Sequence, residues 1–120
     1  VSYVIEHDAG TFFHGGDARP SDDFEAVGAQ YDIDLAVVAF GSSGMILDKE
    51  TRQPSHTTWY ADENQAAEAA NQLRTDRLIP THWDMWKGLT ADPNAIRDHV
   101  RSFEYPRAIE ILEIGDRTNV

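Results

Sequence analysis

The 120-residue sequence contains no cysteine. That excludes disulfides and thiolate metal centres, so any metal would have to be held by imidazole and carboxylate. Positive charge is scarce. Ten Lys and Arg stand against 21 Asp and Glu, a formal net charge of −11, and only Lys49 and Lys87 are lysines. A surface of that sign repels nucleic acid and anionic membranes, so neither is an expected partner. No apolar run approaches the ~18 residues of a membrane span, and no basic segment followed by a short apolar stretch marks a signal peptide. A cytoplasmic protein is the expectation. Aspartate outnumbers glutamate, a balance that also suits solubility in concentrated salt.

What is present supports a single globular α/β domain over residues 1–120. Hydrophobic residues make up 41% of the chain, enough to build one core. The opening "VSYVIE" begins inside a β-prone run without a leading turn, and the expectation is a fragment of a longer protein. "SYVIE" and "TFFH" flank the turn residues Asp8 and Gly10, a hairpin pattern. Ser21, Asp22 and Asp23 open a helix, with Asp22 and Glu25 at capping-box spacing, and Phe24, Val27, Gly28 and Tyr31 fall on one helical face. "IDLAVVAF", residues 33–40, is short and almost continuously apolar, as in a parallel strand covered on both faces. Residues 45–60 lack periodicity and read as a long loop. Asp62 and Gln65 form a second capping-box pair before an alanine-rich helix. "RLIPTH" reads as a strand ending at His82. Asp92 and Pro93 open a helix whose apolar stripe is Ile96, Val100 and Phe103. "AIEILEI" closes as a strand. The order is β-β-α-β-α-β-α-β, which argues for a layered sheet.

Ligands of such sheets bind at the carboxyl ends of the strands. Three polar clusters lie there: His14-Gly-Gly-Asp17, the glycine-serine segment 41–44, and Thr81-His82-Trp83-Asp84. If their strands are neighbours, Asp17 and His82 converge as a carboxylate and an imidazole suited to Zn²⁺ or Mn²⁺. Plainer readings stand beside this one. An aspartate after a strand often caps the next helix, and a histidine after Ile-Pro is often a partly buried hydrogen-bonding residue. Residues 41–44 lack the lysine of a P-loop. His7, His56 and His99 read as solvated, Trp83 and Trp86 as packing residues, and Asp34 as a partner for backbone groups at a strand edge.

"FFHGGD", "YDIDLAVVAFG" and "LRTDRLIPTHWDMW", in this order, resemble the C-terminal half of metallo-β-lactamase-fold hydrolases. The last stretch is most similar to that of L-ascorbate-6-phosphate lactonase-like members. The resemblance implies the C-terminal half of an αββα sandwich with two divalent metal ions, Zn or Mn, at one edge of the sheets. It implies that Asp17 bridges both metals and is the catalytic carboxylate, and that His82 is the last histidine ligand. His14, Asp84 and Trp86 would border a small-molecule substrate. The implied reaction is opening of a lactone, or cleavage of a related ester or amide, by metal-bound hydroxide.

The family's H-x-H-x-D-H segment is absent from these 120 residues, as is a further metal histidine. The chain alone is therefore expected to be inactive. Half a sandwich exposes an apolar sheet face, so a homo-oligomer or association with the missing N-terminal half is expected. The alternative is a non-catalytic α/β assembly or ligand-binding module without a metal site. A receiver-like signalling domain ranks behind both, because Phe40-Gly41 stands where its phosphoacceptor aspartate would be.

Overall fold

The computed structural model describes residues 1–41, 43–85, 90–100 and 108–120. Trp86, Lys87 and Phe103, named above, lie outside the described residues, as do residue 42 of the glycine-serine segment and the side chain of Val100.

The first two strands, β1 (Tyr3–His7) and β2 (Gly10–His14), form the expected hairpin, paired antiparallel from Tyr3↔His14 to His7↔Gly10. Helix α1 (Asp22–Gln30) follows. The third strand, β3 (Leu35–Ala39), is buried at every position, as its apolar run requires. A second hairpin, β4 (Ser43–Leu47) and β5 (Pro54–Thr58), precedes helix α2 (Glu63–Gln72). Strand β6 (Arg77–Thr81), helix α3 (Asn94–Val100) and the short strand β7 (Ala108–Ile109) complete the chain. The main sheet has the order β1-β2-β3-β6-β7, and only β1 runs antiparallel to its neighbour. The carboxyl ends of β2, β3 and β6 therefore lie along one edge. No helix among the described residues is long and apolar enough to cross a membrane.

Side chains alternate across the sheet. One face points to the helices, where Phe13, Ala36, Val38, Phe40 and Leu78 pack with Phe24, Ala66, Ala69, Leu73 and Ile96. Phe13 and Phe24 meet edge to face at 5.1 Å. Gly28 marks the closest approach of α1 and α2, since a Cβ there would stand 2.1 Å from the Gln72 carbonyl oxygen. The opposite face carries Phe12, Leu35, Val37, Ile79 and Leu112. It forms an open cleft of about 810 Å³, bordered by the C-terminal residues Thr118–Val120. Arg77 holds that terminal segment: its Nε donates to Glu110 Oε1 at 2.7 Å, and Nη2 donates to the Thr118 hydroxyl at 2.9 Å.

Four sequence expectations are corrected. Residues 45–60 are not a loop but chiefly the β4–β5 hairpin, paired from Ser43↔Thr58 to Leu47↔Pro54. This adds two strands to the expected order. Asp22 and Glu25 form no capping box; Ser21 is the N-cap of α1 and makes no side-chain cap bond. "AIEILEI" contributes only Ala108 and Ile109 to the sheet. His99 is half-buried rather than solvated. The Asp62–Gln65 box is present in both directions, with the Gln65 N–H donating to Asp62 Oδ1 at 2.9 Å and the Asp62 N–H to Gln65 Oε1 at 3.1 Å. Asp34 accepts the Thr11 N–H at 2.7 Å, the strand-edge role expected of it.

Candidate active site

Beyond β2 the chain keeps one more ladder bond, Gly15 N–H to the Val37 carbonyl at 2.8 Å. It then turns sharply, closed by Ala18 N–H to the Gly15 carbonyl at 3.0 Å. Gly16 takes φ +57° in this turn, a conformation that glycine adopts without steric cost. Asp17 sits at the tip with its side chain 77% exposed. It lies four residues before the N-cap of α1, so the capping reading of Asp17 does not hold.

From the other side, β6 ends at Thr81, whose hydroxyl donates to the Val38 carbonyl at 3.2 Å. His82 follows at φ +69°. Histidine in the left-handed region is uncommon, and such strain concentrates at functional sites. The bend brings His82 Nε2 to 3.3 Å from Asp17 Oδ1. Two residues 65 positions apart in sequence thus meet across the carboxyl end of β3, which lies between their strands.

The pair can be tested as metal donors. Two ligands with bonds of ~2.0–2.1 Å at a tetrahedral angle stand roughly 3.3 Å apart, and this pair has that spacing. His82 Nδ1 is buried and has no hydrogen-bond partner among the described residues. The donor set, a carboxylate and an imidazole, suits a borderline divalent cation. It is also incomplete: among the described residues no group of three or more His, Asp and Glu gathers around one point. The residues present fit part of a metal site.

The other named residues are placed as follows. His14 ends β2 on the cleft side, and its Nδ1 accepts the Gly16 N–H at 3.0 Å, which leaves the neutral ring's proton on Nε2. Asp84 is exposed in the turn after His82. Trp83 is half-buried against the helix-side core, a packing role. Tyr60 is a further residue of the site. Its ring stacks on that of His82, with centroids 4.9 Å apart and planes 23° from parallel. Arg19 was also missed; its Nε and Nη2 donate to the Trp59 carbonyl at 3.2 and 3.0 Å, and Nη2 also donates to the Thr58 carbonyl. The available signals were a glycine directly after a buried strand, Gly41, and an arginine two residues beyond the turn aspartate.

The described residues form a mixed α/β unit with a carboxylate–imidazole pair at the carboxyl edge of its sheet. Residues 1–83 match the beta-lactamase superfamily domain, and the chain belongs to that family. Among curated relatives it is similar to the probable L-ascorbate-6-phosphate lactonase of Escherichia fergusonii, at 35% identity over 98 residues, or 81% of this chain and 25% of that protein. The corresponding Salmonella newport protein is 33% identical over the same share. The chain spans about a quarter of the length of these relatives.

Among solved structures, the fold resembles Igni18, a metallo hydrolase from Ignicoccus hospitalis, with a TM-score of 0.72 at 22% identity over 94% of this chain and 42% of that one. An isothiocyanate hydrolase from Delia radicum gut bacteria superposes with a TM-score of 0.65 at 14% identity, over 96% and 42% of the two chains.

Proposed function

We propose that this chain is the portion of a metal-dependent hydrolase that supplies Asp17 and His82 to a two-metal site, and that the full-length protein opens a lactone or cleaves a related ester or amide. The observation that carries this reading is the 3.3 Å approach of Asp17 and His82 at the carboxyl edge of the sheet. The family assignment and the lactonase relatives support it. Divalent ions held there would lower the pKa of bound water and polarise a carbonyl oxygen.

This chain's own residues have separate tasks. Asp17, exposed and with two carboxylate oxygens, can reach two cations at once. His82 offers Nε2 as a neutral donor. His14, at the end of β2 and with its ring proton on Nε2, would donate a hydrogen bond toward a substrate oxygen at the carboxyl edge of the sheet. Asp84 borders the same turn. The remaining ligands come from a preceding segment of the full-length protein, and the chain by itself is inactive. The apolar sheet face that lines the cleft packs against that segment, or against a second copy when the segment is missing.

The test is metal analysis of the full-length protein and of its Asp17→Asn and His82→Asn variants, coupled to hydrolysis of phosphorylated and unphosphorylated lactones before and after chelation. Retained metal and chelator-sensitive hydrolysis are expected for the native protein, with at least one metal ion fewer and no hydrolysis in the variants. Hydrolysis that survives chelation and both substitutions would refute the reading.

A further inference from the structure

The segment Thr58–Tyr60, at the end of the β4–β5 hairpin, touches both Arg19, beyond the Asp17 turn, and His82. Its backbone is anchored to the end of β3. The Gly41 N–H donates to the Ala61 carbonyl at 3.1 Å, and the Ala61 N–H donates to the Ala39 carbonyl at 3.2 Å. From this fixed base, Tyr60 lays its ring on the imidazole of His82.

Two observations show that the stack is built rather than incidental. Gly41 has no left-handed backbone to explain it, yet a Cβ there would stand 2.7 Å from Tyr60 Cδ2 and 3.0 Å from Tyr60 Cβ. Glycine at this position makes room for the tyrosine ring. The second concerns His82 itself. A metal-binding histidine normally has its ring orientation fixed by a hydrogen bond from its other nitrogen. His82 Nδ1 is buried without such a partner among the described residues. Beside its approach to Asp17, the flat contact with Tyr60 restricts rotation of the ring.

Arg19 connects the same segment to the other loop. It lies two residues after Asp17 and donates to the carbonyls of Thr58 and Trp59. One short stretch of chain thus holds the Asp17 turn through Arg19 and the His82 ring through Tyr60.

We infer that Tyr60 is a positioning residue, which holds the His82 imidazole so that Nε2 is presented to Asp17, with Gly41 providing its space and Arg19 tying its segment to the Asp17 turn. The inference rests on the reading of Asp17 and His82 as metal ligands.

The experiment is calorimetric Zn²⁺ titration of the metal-stripped full-length protein. It compares the native protein with Tyr60→Leu, Tyr60→Phe, Arg19→Met and His82→Asn, each with its melting midpoint recorded. His82→Asn tests the underlying reading: if it binds Zn²⁺ as the native protein does, the ligand assignment fails and the inference falls with it. If it loses a site, the Tyr60 variants decide. Tyr60→Leu is expected to weaken that site roughly 10-fold, as loss of an outer partner of a ligating histidine does. Tyr60→Phe, which keeps the ring, is expected to restore native affinity, and Arg19→Met to give an intermediate loss.

Native affinity in Tyr60→Leu would overturn the inference, as would equal losses in the Leu and Phe variants. If Tyr60→Leu does not fold, Gly41→Ala takes its place. It keeps the tyrosine but displaces its ring, and unchanged affinity there overturns the inference equally.

Discussion

His82 and Asp17 were legible in the sequence because strand ends are where an α/β sheet presents functional groups. "RLIPTH" and "FFHGGD" each end an apolar run in a polar side chain. Their separation was not legible, because it depends on β3 lying between β2 and β6. The role of Tyr60 was not legible: Gly41 after the buried strand signals a close approach, but nothing local pairs it with Tyr60 or Tyr60 with His82. Away from the site, Glu110 shows a residue whose ionisation supports the fold. The hydrogen bond from Arg77 holds its carboxyl below the usual value of 4.5, against partial burial, which acts the other way, and Thr118 adds to the lowering. A depressed carboxyl pKa stabilises the native state above the unfolded value, and that stability is lost as pH falls through the folded one. Glu110→Gln is therefore expected to cost about 1 kcal/mol at pH 7. The gap from the native protein should close as pH falls below 4.5. Denaturant melts at pH 7 and pH 3 check this; a gap that widens in acid would contradict it.

At the scale of elements, continuous apolar strands and paired caps were readable, and mixed segments were not. β3 announced itself through an unbroken apolar run, and α2 through a reciprocal cap and its alanines. The β4–β5 hairpin did not, because its apolar residues Met45, Ile46 and Leu47 are consecutive and all exposed, while the facing strand is Pro-Ser-His-Thr-Thr. No alternation results, so the period of a strand is hidden. The opening of α1 at Ser21 was readable, but the Asp22–Glu25 spacing misled, because Ser21 rather than Asp22 is the N-cap. The α1–α2 contact gives a sharp prediction. A methyl group at Gly28 would meet the backbone of Gln72 and Leu73, which cannot rotate away. Gly28→Ala gains about 1 kcal/mol of helix propensity and loses roughly 3 kcal/mol to overpacking. A net fall in melting midpoint of roughly 8 °C is expected for a domain of this size. A rise would show that the helices are not this close.

For the whole molecule, the sheet is covered by helices on one face, while the other is an open cleft lined by Phe12, Leu35, Val37 and Ile79. That asymmetry matches the chain's share of its relatives, about a quarter of their length. An apolar face of this kind favours association. The 120-residue chain expressed alone is expected to sediment as a dimer or larger, and a monodisperse monomer would contradict the proposal that this face is normally covered. The central claim, however, concerns the edge of the sheet. Metal stoichiometry of the full-length protein beside its His82→Asn variant tests it most directly, because asparagine tolerates the left-handed backbone at position 82 and should leave the fold intact. Two metal ions per native chain are expected and at least one fewer in the variant, with equal melting midpoints for the two metal-stripped proteins. Equal metal content in both would contradict it.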